Sequence, residues 1–87
     1  MENLTDLYST AKDEFEIAAE ETEKKTTYGA EDREAAHEAF QVLKDAYGKA
    51  ISESGEEVGK EVERRVGPRI RELESALRNM DEMAMED

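Results

Sequence analysis

Apolar residues in this chain return at steps of three and four, the spacing that puts them on one side of a helix. Over residues 35–51, at an advance of about 100° per residue, Ala36, Phe40, Leu43, Tyr47 and Ala50 share one stripe, widened by Ala39 and Ala46. Two flanking stretches carry matching stripes. Residues 4–22 align Leu4, Tyr8, Ala11, Phe15, Ala18 and Thr22 in a short heptad-like seam, with Leu7 and Ala19 at its edges. Residues 58–84 align Val62, Val66, Ile70, Leu73, Leu77, Met80 and Ala84, with Val58 at the margin. Alternating strand patterns are absent. The pattern predicts one all-α domain spanning residues 1–87, an up-down-up three-helix bundle with helices over about 4–25, 30–53 and 56–85. The middle helix is the natural partner of both others.

The polar residues punctuate this pattern. Asn3 or Thr5 suits the first N-cap, and Lys24 and Lys25 suit the first C-terminus, where cations complement the helix dipole. Thr26, Thr27, Tyr28 and Gly29 break the periodicity, with Gly29 the candidate for positive φ. Glu31 and Asp32 supply the next first turn. Gly48 lies inside the second helix, at a cost of about 1 kcal/mol relative to alanine, and a close helix approach beside Tyr47 would explain it. Ser54 can cap the third helix, with Glu57 at the capping-box position. Pro68 interrupts the third helix chemically, but the apolar phase passes through it unchanged. A register-preserving kink fits that better than a break with Pro68 opening a separate helix. At 1.5 Å per residue this helix reaches about 42 Å, so one end is expected to overhang the bundle. Glu82, Glu86 and Asp87 oppose the dipole and should fray its last turn.

Composition adds two constraints. Leu, Ile, Val and Phe together number 14 of 87 residues and the net charge is -12, values that fall in the range of disordered chains. The regular apolar spacing and the wealth of good helix formers argue for folding. The core should nevertheless be thin, with 11 alanines standing where leucine would bury more, and self-association or a partner could complete it. The excess of acids disfavours direct nucleic-acid binding and anionic membrane surfaces, and leaves basic protein surfaces attractive. There is no cysteine, no apolar run near the roughly 18 residues of a membrane span, and no basic-apolar leader pattern. An intracellular, cytoplasmic protein is expected, and removal of a targeting segment from upstream is compatible with that.

Catalytic chemistry finds little support. Glu34-Ala35-Ala36-His37 has the Glu-x-x-His spacing of carboxylate-bridged di-iron bundles, which Glu14 or Glu16 could complete. However, Glu34 points away from the stripe and His37 lies roughly 110° off its centre, whereas such ligands project inward. The expectation is a solvated histidine beside Glu34 and Glu38. The clusters Glu14/Glu16, Glu20/Glu21/Glu23 and Glu31/Asp32 lack the alternating ligands and central glycine of a calcium loop. Paired carboxylates would need a cleft and aromatics that the stripes already claim, and no Ser or Thr has a positioned His base. No enzyme activity, cofactor or metal is expected.

Interaction chemistry finds more. Arg64, Arg65, Arg69 and Arg71 bracket Pro68 and could dock a carboxylate or phosphate, although pairs such as Glu61 with Arg65 and Glu74 with Arg78 would be purely local. Met80, Met83 and Met85 give the C-terminal end adaptable thioethers, Met80 belonging to the stripe. Ile17 stands roughly 140° from its own stripe, among acids. These residues are the candidate partner-binding set. No short motif identifies a family. The sequence is read as a non-catalytic helical protein-protein interaction module that binds another protein or itself. The alternative is an acidic regulator that competes with nucleic acid for a basic protein surface, and a remote one is a carboxylate-bridged metal enzyme.

Overall fold

The structure is a computed structural model that describes residues 4–85. Three helices follow one another: α1 (Leu4–Glu23), α2 (Gly29–Glu53) and α3 (Glu56–Met85). They form the expected three-helix bundle, 47 × 21 × 14 Å in extent. The long dimension matches α3, whose 30 residues measure about 45 Å at 1.5 Å each. The α1–α2 contact is the most extensive and the α1–α3 contact the least, so the middle helix holds the bundle together.

The sequence stripes become the core. Ala11 and Ala18 of α1, Ala36, Phe40 and Leu43 of α2, and Ile70, Leu73, Leu77 and Met80 of α3 are buried in one cluster. Tyr8, Phe15, Tyr47 and Val66 pack against it from partly buried positions. Three of the nine buried side chains are alanines, which let α1 and α2 approach closely but bury little area each. Leu43 is the largest side chain excluded from water completely. Val58, at the margin of its stripe, is exposed.

The connection between α1 and α2 differs from expectation. The helix stops at Glu23, and Lys24 donates its N–H to Glu20 O at 3.0 Å. The amides of Lys25 and Thr26 then turn back to Thr22 O and Glu21 O, both at 3.1 Å, which is the Schellman arrangement. Lys25 therefore takes the left-handed position, at φ 57°, and Gly29 does not. The Thr26 hydroxyl closes the turn on the Glu21 carboxylate. Gly29 is instead the first residue of α2, where it is needed for space. A Cβ there would lie 3.2 Å from the Arg33 guanidinium and 3.6 Å from Glu21 O. Arg33 crosses this corner to donate to the buried Thr22 hydroxyl at 2.9 Å.

The second connection is tighter. Ser54 is the C-cap of α2, its amide bound to Ala50 O at 3.0 Å, and Gly55 stands at the N-cap of α3, accepting from Gly59 N at 2.8 Å. The capping role expected of Ser54 thus passes to the next residue. α3 runs unbroken through Pro68, so the alternative of a separate helix opening at Pro68 is not what forms. The cap proposed at Asn3 lies outside the described residues, while Thr5 falls within α1. Glu86 and Asp87, invoked for fraying, also lie outside them.

Gly48 has open space where its Cβ would be, so the close approach proposed for it is absent. That approach is made by two glycines of α3. A Cβ on Gly59 would stand 3.3 Å from Ile51 O, and one on Gly67 would stand 3.0 Å from the Tyr47 hydroxyl. Two outcomes follow in denaturant titrations. Gly48→Ala should stabilise by about 0.5–1 kcal/mol through helix propensity alone, whereas Gly59→Ala, forced against backbone, should destabilise by about 1 kcal/mol. Lys25→Gly should stabilise by about 0.5–1 kcal/mol, the relief of the left-handed strain exceeding glycine's extra chain entropy. A loss of stability in Lys25→Gly would contradict the turn described.

Candidate functional site

Five of the six arginines lie in α3, while acids outnumber bases over the chain as a whole, 24 to 12. Arg64, Arg71 and Arg78 recur every seven residues and are all exposed. At 100° per residue they form one line along a flank of α3, Arg71 and Arg78 each about 100° from the buried Ile70 and Leu77 that precede them. Pro68, also exposed, lies between the first two. Its ring is an apolar spot among charged neighbours, Lys60 and Glu63 as well as the arginines.

The four arginines singled out from sequence divide into different environments. Arg64 and Arg65 both pair with Glu61, at 3.1 and 2.6 Å, so the expected Glu61–Arg65 contact forms with a third member. Arg69 turns toward α1, its guanidinium 6.0 Å from the centre of the Tyr8 ring. That is the outer limit of a cation–π contact. Arg71 reaches over Gly67 beside the Tyr47 hydroxyl; its Nη1 lies 3.3 Å from where a Gly67 Cβ would be. An open cleft of about 390 Å³ lies here, lined by Lys60, Glu63, Arg64, Pro68 and Arg71. Arg78 stands outside the cluster that sequence proximity suggests, and its seven-residue spacing from Arg71 is the signal that includes it. The expected Glu74–Arg78 pair is replaced by Glu74 with Lys44 of α2, at 3.3 Å. Among the described residues, Arg71 and Arg78 have no carboxylate partner.

A second groove of about 310 Å³ runs between α2 and α3, with Phe40 and Leu77 beneath and Lys44, Glu74, Arg78 and Asp81 along its rim. His37 is not simply solvated beside Glu34 and Glu38: its Nε2 meets Asp81 Oδ2 at 2.8 Å and bridges the two helices. This contact also places the end of α3. Asp81 sits beside a residue eight positions into α2, and the four residues that follow add only about 6 Å. The C-terminal end of α3 therefore stays alongside α2 and does not overhang it. Met80 is buried in the core, which removes it from the candidate partner-binding set, whereas Met83 and Met85 are exposed. Ile17 is 49% exposed on the outer side of α1. Among the described residues, no group of three or more His, Asp or Glu is placed to hold a metal ion, and no helix is long and apolar enough to cross a membrane.

The family model described as the Embryogenesis-like protein helical domain matches residues 1–82, and the chain belongs to that family. No curated protein and no solved structure matches it.

Tyr47 joins the arginine face to the core. Burial pushes its phenol above the ordinary value near 10; Glu63 adds to the shift and Arg71 opposes it. The folded state therefore holds this proton more tightly than the unfolded chain. The associated stability is complete below about pH 10 and declines as pH rises through the raised folded value. Tyr47→Phe should flatten that alkaline decline in urea titrations between pH 9 and 11, and an unchanged slope would remove Tyr47 as its source.

Proposed function

We propose that this helical domain is a non-catalytic protein-protein interaction module whose contact surface is the arginine face of α3. The observation that carries this reading is the segregation of charge. In a chain with net charge -12, arginine is gathered on one helix and exposed, with Arg71 and Arg78 unpaired among the described residues. Guanidinium groups form planar, forked hydrogen bonds to carboxylates and lose little hydration in doing so. An exposed row of them beside the apolar Pro68 surface suits an acidic protein segment, a helix in particular. The exposed Met83 and Met85 extend the apolar part of the same helix toward its end.

A second reading draws on the opposite sign of charge. Asp6, Asp13 and Glu20 are exposed along α1, and this acidic face fits a basic protein surface from which it would displace nucleic acid. Binding through that face should weaken steeply with added salt.

One capture experiment separates the two. The intact protein is immobilised and its bound proteins are identified from native extract, alongside Arg64→Ala/Arg71→Ala/Arg78→Ala and Asp6→Asn/Asp13→Asn/Glu20→Gln variants with unchanged helical circular dichroism. The leading reading expects the arginine variant to lose at least tenfold in captured partner while the acidic variant retains it. The reverse result favours the acidic regulator, and equal capture by all three forms would defeat both.

A further inference from the structure

The arginine face has a counterpart of the same period on α1, and this deepens the reading of α3 as a docking surface, on which it rests. Asp6, Asp13 and Glu20 recur every seven residues and are exposed, as are Arg64, Arg71 and Arg78. Each set spans about 21 Å in steps of about 10.5 Å. Within one chain these rows do not meet: among the described residues Asp13, Arg71 and Arg78 have no ion-pair partner, and Glu20 and Arg64 pair only within their own helices.

We propose that the domain self-associates, the acidic face of α1 in one copy lying antiparallel along the arginine face of α3 in another. Asp13 then meets Arg71 at the centre, with Asp6 opposite Arg78 and Glu20 opposite Arg64. The antiparallel alignment is selected by its apolar content. It brings Ile17, exposed between Asp13 and Glu20, against the exposed Pro68 between Arg64 and Arg71. A parallel alignment keeps three ion pairs but sets Ile17 against Ser75. Exposed ion pairs contribute little each, whereas covering an isoleucine contributes in proportion to the area removed from water. The antiparallel alignment also places Lys24 near Lys60, at the edge, where each lysine already has its own partner, Glu20 and Glu56 respectively. The two faces differ, so the contact is heterologous and assembly grows with concentration.

The test is sedimentation of the intact protein at about 0.15 M salt, where a screening length of about 8 Å mutes the overall negative repulsion but spares pairs in contact. The wild-type mass should rise with concentration. Asp13→Arg and Arg71→Glu should each move that rise at least tenfold higher in concentration. The double variant, which restores both the pair and the original net charge, should recover it. In this cysteine-free chain, Asp6→Cys copies mixed with Arg78→Cys copies should oxidise to a linked pair faster than Asp6→Cys copies mixed with Arg64→Cys copies. A wild-type chain that stays monomeric throughout, a folded double variant that fails to recover, or the reverse order of cross-linking would overturn the proposal. If the chain is monomeric yet the triple arginine variant still loses its captured partner, self-docking falls and the interaction module stands.

Discussion

The bundle depends on how closely α1 can approach α2. Ala11 and Ala18 face Ala36, Phe40 and Leu43 within one buried cluster, and the small side chains let the two helices come near enough for the larger ones to be sealed. Dispersion and burial both scale with contact, so a core poor in leucine can hold only where its backbones draw together. The alternative, wider spacing around alanine, would leave voids lined by atoms without partners. The α1–α2 corner reinforces the pairing with directional bonds: Arg33 reaches back to Thr22, and Thr26 returns to Glu21.

α3 joins this pair by a different balance. Its apolar stripe supplies Ile70, Leu73, Leu77 and Met80 to the core, but its flanks meet α2 through Gly59, Gly67 and two exposed polar pairs, His37–Asp81 and Lys44–Glu74. Such pairs contribute only modestly. The glycines admit the Ile51 carbonyl and the Tyr47 hydroxyl, so removing side chains from α3 is what brings it close to α2. Pro68 is tolerated on this helix because its ring faces solvent and the apolar phase on either side is continuous.

The helices and their buried faces were legible because a period of 3.6 residues is imposed directly on the side chains. Ala36, Phe40 and Leu43 could be placed in the core without knowing their neighbours. What could not be read was whatever depends on the identity of a residue across the gap. Gly48 and Gly67 are alike in sequence, yet only Gly67 lies under Tyr47. Lys25 adopts the left-handed turn usually reserved for glycine because the carbonyls of Glu21 and Thr22 capture the following amides. Glu74 answers to Lys44 on α2 although Arg78 stands at favourable spacing on its own helix. The arginine cluster was visible as a cluster, but its division into a face toward Tyr8 and a face toward solvent needed the packing of α1 and α2 around α3.

That division bears on what the domain can be selected for. A thin core leaves little stability in reserve, and a chain with twice as many acids as bases gains nothing by leaving arginines unpaired. Glu61 neutralises Arg65 from four residues away. Arg78 has Glu74 and Glu82 at the same spacing, yet among the described residues neither it nor Arg71 is paired with a carboxylate. Exposed guanidinium groups spaced along a helix contribute little to folding, but they do set which surfaces can approach and in what register. The seven-residue period shared with the acids of α1 makes the same point from the other side, since folding demands periodicity of the buried face and places no such demand on the exposed one.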